Sequence, residues 1–201
     1  MNRLGSFART GLLLAASIVW CCAAHAQGAE PLSPLPAAPA GVAPERVALG
    51  KKLFRDTRFA KDNSVACISC HSPDHGGADP RPYSVGSGGA LQLLNTPSIW
   101  NVGLNFRQQW AGGTTTLEDL VGVVLKSPRV FNSSWEELLP KLQRDAELSR
   151  DFTRAYPEGM TPKTIADALA VYQRTLVTPS RFDRYLQGNT QAISPDELRG
   201  Y

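Results

Sequence analysis

Cysteine, histidine and methionine are scarce in this chain, at four, three and two among 201 residues. Cys21, Cys22 and His25 fall in a stretch with the marks of an export leader. Arg3 and Arg9 give it a positive start, Leu12 to Trp20 an apolar middle, and Ala24-His25-Ala26 a cleavage site before Gln27. The apolar run is too short to cross a bilayer, and bulky Trp20 before Cys21 argues against a lipoprotein leader. The reading is a leader over residues 1–26 and a periplasmic mature chain with no membrane span. That mature chain keeps only Cys67 and Cys70, which leaves no thiols to spare for a structural disulfide. Charge of one sign is also lacking: 21 basic residues face 18 acidic ones, and two of the basic ones go with the leader. Near-neutrality argues against a nucleic-acid or membrane-surface partner. Strand-like alternation is absent as well, so the expected class is all-α.

Both remaining cysteines belong to Cys67-Ile68-Ser69-Cys70-His71, a C-x-x-C-H string. Two cysteines three positions apart share one face of a helical turn. From there both thiols can bond the two vinyl groups of one porphyrin, and the adjacent His71 can place a nitrogen on its iron. The expectation is one covalent haem c, held by Cys67 and Cys70 with His71 as the proximal iron ligand. Two alternatives stay open. A redox dithiol needs a βαβ setting, which the flanking sequence does not offer. A zinc site needs further ligands, and His75 lies too close to His71 to complete a comfortable tetrahedron.

Residues 27–44 carry Pro31, Pro34, Pro36, Pro39 and Pro44 among alanines, and read as an extended linker. The domain is expected over 45–193. Val47, Leu49, Leu53 and Phe54 predict a first helix ending near Arg55. Ser72 to Thr115 is rich in glycine and poor in helical period, as suits a loop wrapped around a flat cofactor. Thr116 caps a helix whose core face is Leu117, Leu120, Val121, Val124 and Leu125. Ser134 to Glu137 resembles a capping box, and Pro140 inside the following helix predicts a kink or a late start. Leu148, Phe152, Ala155 and Tyr156 mark a short helix. Thr161-Pro162 opens the best-specified one, with Ile165, Ala168, Leu169, Tyr172 and Leu176 buried. Ser194-Pro195-Asp196-Glu197 begins another helix, so 194–201 is expected to open a further, truncated element.

Several strings resemble the first haem domain of the bacterial di-haem cytochrome c peroxidases, whose superfamily includes the MauG-like enzymes. They are Leu49-Gly50-Lys51-Lys52-Leu53-Phe54, Gly76-Gly77-Ala78-Asp79, Asn95-Thr96-Pro97-Ser98 with Asn101, and Arg174-Thr175-Leu176 through Phe182-Asp183. The resemblance implies a cytochrome c-like helical domain with long Gly-rich loops around one haem. It implies hydrogen peroxide as substrate and a small electron donor of cytochrome c or cupredoxin type. It makes Gln108 and Glu118 the distal catalytic pair, with Glu118 moving the proton. Asn95 matches a calcium-contacting asparagine whose other ligands come from a second domain, so calcium is expected only with that domain present.

Three departures go with it. Trp110-Ala111-Gly112-Gly113 stands where the family often has Trp-Asp-Gly-Arg. Ser87 stands where many members place an iron-blocking histidine, which implies a pocket open without activation. The family's second haem domain lies outside the resemblance, so the chain reads as the front part of a two-haem enzyme. The rivals are a mono-haem electron-transfer cytochrome and MauG-like oxidation of a partner protein. His75 reads as a solvent or propionate contact and Met160 as a turn residue. Trp100 and Trp110 read as core aromatics or carriers of oxidising equivalents.

Overall fold

A computed structural model describes residues 32–201. The expected leader and the start of the Pro-rich segment lie outside the described residues. Eight helices run in order among them: α1 Pro44–Phe54, α2 Cys67–Cys70, α3 Leu117–Lys126, α4 Trp135–Gln143, α5 Ala146–Ala155, α6 Pro162–Arg174, α7 Arg181–Leu186 and α8 Pro195–Gly200. Short 3-10 turns punctuate the loops at Thr57–Phe59, Pro73–His75, Ser87–Gly89 and Val102–Leu104. The described residues hold no strand, only isolated bridges at Ser72–Ala78, Val85–Leu91 and Gln108–Thr114. No described helix is long and apolar enough to cross a membrane.

The described chain divides into two compact units, residues 36–178 and residues 32–35 with 179–201. In the smaller unit Ser180 and Ser194 cap α7 and α8 reciprocally with Asp183 and Glu197. Asp183 also accepts the Leu35 amide at 2.7 Å, and Phe182 stacks on Tyr185 while Tyr201 meets both rings edge-on.

The core of the larger unit is built where α1, α3, α5 and α6 meet. Leu53, Leu125, Leu148, Phe152, Ile165, Ala168 and Ala170 are all fully buried there. Local chemistry sets each helix start. Thr161 caps α6 with reciprocal bonds to Thr164, Pro162 takes the first position, and Thr116 accepts the Asp119 amide at 3.1 Å. Asp145 caps α5, so that helix begins before the apolar pattern does.

Around Pro140 the structure corrects the late start expected there. Helix α4 begins directly after Ser134 and runs through Pro140 to Gln143. Proline removes one i→i−4 bond, but Leu138 and Leu142 are fully buried on either side of it and hold the helix in place. The capping box is only half made. Ser134 accepts the Glu137 amide, while the Glu137 carboxylate takes its bond from Ser133.

Helices α1 and α6 cross so closely that their backbones touch. A Cβ on Gly50 would lie 2.0 Å from the Ala168 carbonyl oxygen and 2.6 Å from the Tyr172 Cβ. Gly50→Ala gains about 1 kcal/mol of helix propensity. Overpacking a rigid contact costs about 1–3 kcal/mol, and a backbone carbonyl cannot swing aside as a side chain can. Gly50→Ala should therefore lower the thermal unfolding midpoint. An unchanged or higher midpoint would contradict the close crossing.

Candidate functional site

The single turn α2 presents the expected haem-binding residues together. Ser69 closes the turn by accepting the Ala66 amide at 3.0 Å, and the His71 amide donates to the Cys67 carbonyl at 3.0 Å. Cys67 and Cys70 are both free and partly accessible, with Cys67 seated against the hydrophobic core. Burial pushes the Cys67 thiol up to about 12, and the Cys70 thiol rises for the same reason. Both are neutral thiols near pH 7, unlike the low-pKa cysteine of a redox dithiol. No group of three or more His, Cys, Asp or Glu side chains converges among the described residues, so nothing there completes a zinc site.

His71 is fixed through one ring nitrogen. Its Nδ1 lies 3.3 Å from the Gly77 carbonyl oxygen, which can only accept, so Nδ1 carries the proton and Nε2 keeps its lone pair. Burial lowers the imidazole pKa against the pull of the Gly77 and Pro97 carbonyls, which keeps the ring neutral. Gly77 is required where it stands. Its φ is +73°, and a Cβ there would come within 2.9 Å of the Trp100 ring. A haem c fits this set: two thiols on one face, a neutral imidazole with a free Nε2, and uncovered apolar side chains on the glycine-rich loops. Phe106 is 89% exposed and Trp110 65%.

The loops are stitched by a few polar side chains. Asp79 is buried and grips Arg81 with bonds of 2.6 to 3.1 Å, which holds its carboxyl well below the usual range. Ser84 and Thr96 share a buried bond of 2.6 Å. Asp62 accepts from the Ser87 hydroxyl at 2.8 Å and from the Gly88 amide at 2.7 Å. The buried Ser87 hydroxyl is therefore spent on anchoring its loop. The Asn95 side-chain Nδ2 donates to the Arg81 and Pro82 carbonyls, and the Asn95 backbone carbonyl accepts from Trp110 Nε1 at 2.7 Å. Exposed Asn95 thus ties loops together, and no acidic cluster surrounds it among the described residues. His75 is exposed, and Met160 packs against the core.

Gln108 is buried, and its Nε2 donates toward the Val102 and Asn105 carbonyls at 3.5 and 3.3 Å. Its backbone bridges Thr114, whose Oγ1 is the one buried side-chain polar atom among the described residues without a partner. Bridged residues put their side chains on the same face. Glu118 sits in the first turn of α3 and meets Arg174, the last residue of α6, in a two-pronged pair at 2.7 and 2.9 Å. Burial opposes ionisation, but Arg174 and the helix start win and hold the carboxyl below its ordinary range. No direct bond joins Gln108 to Glu118. The sequence reading missed the Arg174 partnership, because an arginine in a last helical turn already has a role beside the helix dipole. It missed Thr114 for want of any pattern signal.

Comparison with known proteins places this geometry. The family described as di-haem cytochrome c peroxidase matches residues 44–191. The cytochrome c peroxidase Ccp of Escherichia coli K12 is 37% identical over 174 residues, covering 86% of this chain and 37% of that protein. The methylamine utilization protein MauG of Methylophilus methylotrophus is 33% identical over 159 residues, covering 78% of this chain and 48% of that one. The crystal structure of a MauG-like protein associated with microbial copper homeostasis superposes with a TM-score of 0.72 at 30% identity, covering 87% of this chain and 54% of that one. The chain thus spans about half or less of the length of these relatives. With a C-x-x-C-H turn on a strand-free helical core and a match over most of its length, the chain belongs to the di-haem cytochrome c peroxidase family.

Proposed function

We propose that this chain is a periplasmic peroxidase-type haem domain that reduces hydrogen peroxide with electrons from a small redox protein. The observation that carries the reading is Glu118: a partly buried carboxylate at a helix start, gripped on both oxygens by Arg174 and placed ten positions after the buried amide Gln108. When bound, haem supplies the iron and the electrons that cleave the O–O bond. Cys67 and Cys70 would hold it through thioether bonds, and His71 Nε2 would bind its iron. The Gln108 Nε2 is committed to backbone carbonyls, which leaves Oε1 to accept a hydrogen bond from peroxide. The Thr114 hydroxyl offers a further buried polar contact. The Glu118 carboxylate accepts the proton of the near peroxide oxygen and returns it to the far one, which leaves as water.

Two outcomes test the assignment. Protein made in the periplasm should retain the mass of one haem under denaturing mass spectrometry, and the double variant Cys67→Ser/Cys70→Ser should lose it. Haem that extracts freely into acidic acetone from the wild type would sink covalent attachment. Glu118→Gln should slow the reaction with peroxide by ~10²–10⁴-fold, the usual loss for a removed acid–base group, at unchanged haem content. Gln108→Ala should cost less, because it orients without carrying a proton. Equal peroxide rates in wild type and Glu118→Gln would leave Glu118 a helix-start residue only.

A further inference from the structure

We infer that Arg174 is the positioning residue of the distal site, holding Glu118 ready as a base while bracing the loop that carries Gln108. The inference rests on the proposed role of Glu118 and adds a residue that sets its state and place.

Two independent contacts converge on this one side chain. Its guanidinium forks onto both carboxylate oxygens of Glu118, at 2.7 and 2.9 Å. A fork fixes the plane of the carboxylate as well as its charge. The stem of the same residue lies on Gly103, where a Cβ would be 3.0 Å from Arg174 Cγ and 3.1 Å from its Cα. Gly103 is the middle of the turn Val102–Leu104. The carbonyls of Val102 and Asn105, on either side of Gly103, are the ones that receive the Gln108 amide. That turn is fastened to the chain just after α6 by Asn101, whose amide donates to the Leu176 carbonyl at 2.8 Å and whose Oδ1 accepts the Thr178 amide at 2.9 Å. The end of α6 therefore sets the height of both distal groups, through charge for Glu118 and through packing for Gln108.

The charged neighbours fix the sign of the pH effect. Arg174 faces Glu118 from α6, Asp119 lies beside it on α3, and Asp167 acts on Arg174 from one helical face of α6. Burial and Asp119 favour the protonated carboxyl, and Arg174 opposes them. With Arg174 in place Glu118 is ionised down into the acid range, so its base form persists as pH falls. Without the guanidinium, burial and Asp119 act unopposed, and the carboxyl picks up its proton at higher pH.

The test compares haem-loaded wild type, Arg174→Gln, Arg174→Lys and Glu118→Gln. The Glu118 carboxyl is followed by ¹³C NMR, identified by its loss in Glu118→Gln, and the peroxide reaction rate is followed against pH. Wild type should show a flat rate from about pH 7 to pH 5, above the titration of a depressed carboxyl. Arg174→Gln should show the carboxyl titrating at higher pH and a rate that falls roughly tenfold across that window. Arg174→Lys should restore the flat profile with a plateau about three- to tenfold lower, since a point charge cannot fork. An unmoved carboxyl titration in Arg174→Gln, or a moved titration with a rate profile still flat, overturns the inference. If Arg174→Gln does not accumulate with haem, Arg174→Lys decides, and wild-type behaviour of both readouts overturns it. Failure of the peroxidase reading itself looks different: the titration moves as expected, but Glu118→Gln reacts as fast as wild type.

Discussion

The bare contact between α1 and α6 at Gly50 is the constraint on which the rest of the larger unit hangs. With no Cβ between them, the two helices approach until the Ala168 carbonyl and the Tyr172 side chain fill the gap. The edge contact of Phe54 on Tyr172, with ring centroids 5.4 Å apart, locks the same crossing from the side. Helix α6 is thereby fixed along its length, and α3 packs against it with Leu117, Val121 and Leu125 buried. The ion pair on which the proposed distal chemistry rests is made by the two free ends of this pair of helices. Arg174 closes α6, Glu118 opens α3, and they meet across 56 positions of sequence. A helix N-terminus favours the carboxylate and a helix C-terminus favours the guanidinium, so both dipoles support the pair.

The proximal side is built on a different logic. The C-x-x-C-H turn is short, and its geometry depends on loop backbone rather than helix packing. Gly77 turns through a left-handed conformation and offers one carbonyl oxygen to both the His71 ring and the Ile99 amide. The long loop that follows has no strand to organise it. It is held by single polar side chains, namely Asp62 on Ser87 and Gly88, Asp79 on Arg81, and Asn95 on Arg81 and Pro82. Such anchors leave the apolar side chains of the loop free to face a flat ligand or a partner surface.

The helices were legible because their signals are local. Thr116, Ser134 and Thr161 cap where the sequence places them, and the apolar period names Leu117, Val121 and Leu125 of α3 and Ile165, Ala168, Leu169 and Tyr172 of α6, all buried, while Leu120, Val124 and Leu176 are only half-buried. The C-x-x-C-H string was legible for the same reason, being five consecutive residues. What escaped the reading depends on contacts distant in sequence. The Asp62–Ser87 bond joins residues 25 positions apart, and nothing in either neighbourhood announces it. Pro140 misled because a lost backbone bond is a local cost, whereas the burial of Leu138 and Leu142 that outweighs it comes from tertiary packing. Arg174 was visible as part of a family string, but its fork onto Glu118 exists only once α3 and α6 have packed.

In the proposed arrangement Cys67, Cys70 and His71 hold the haem, Glu118 and Gln108 are left to peroxide, and the Ser87 hydroxyl is bound to Asp62 rather than available to iron. Electron paramagnetic resonance of the resting ferric protein tests this most directly. The expected result is a high-spin signal that converts to low-spin on adding cyanide without prior reduction, and a low-spin resting signal in Ser87→His. A wild-type protein already fully low-spin at rest, held by a strong sixth ligand of its own, would contradict it.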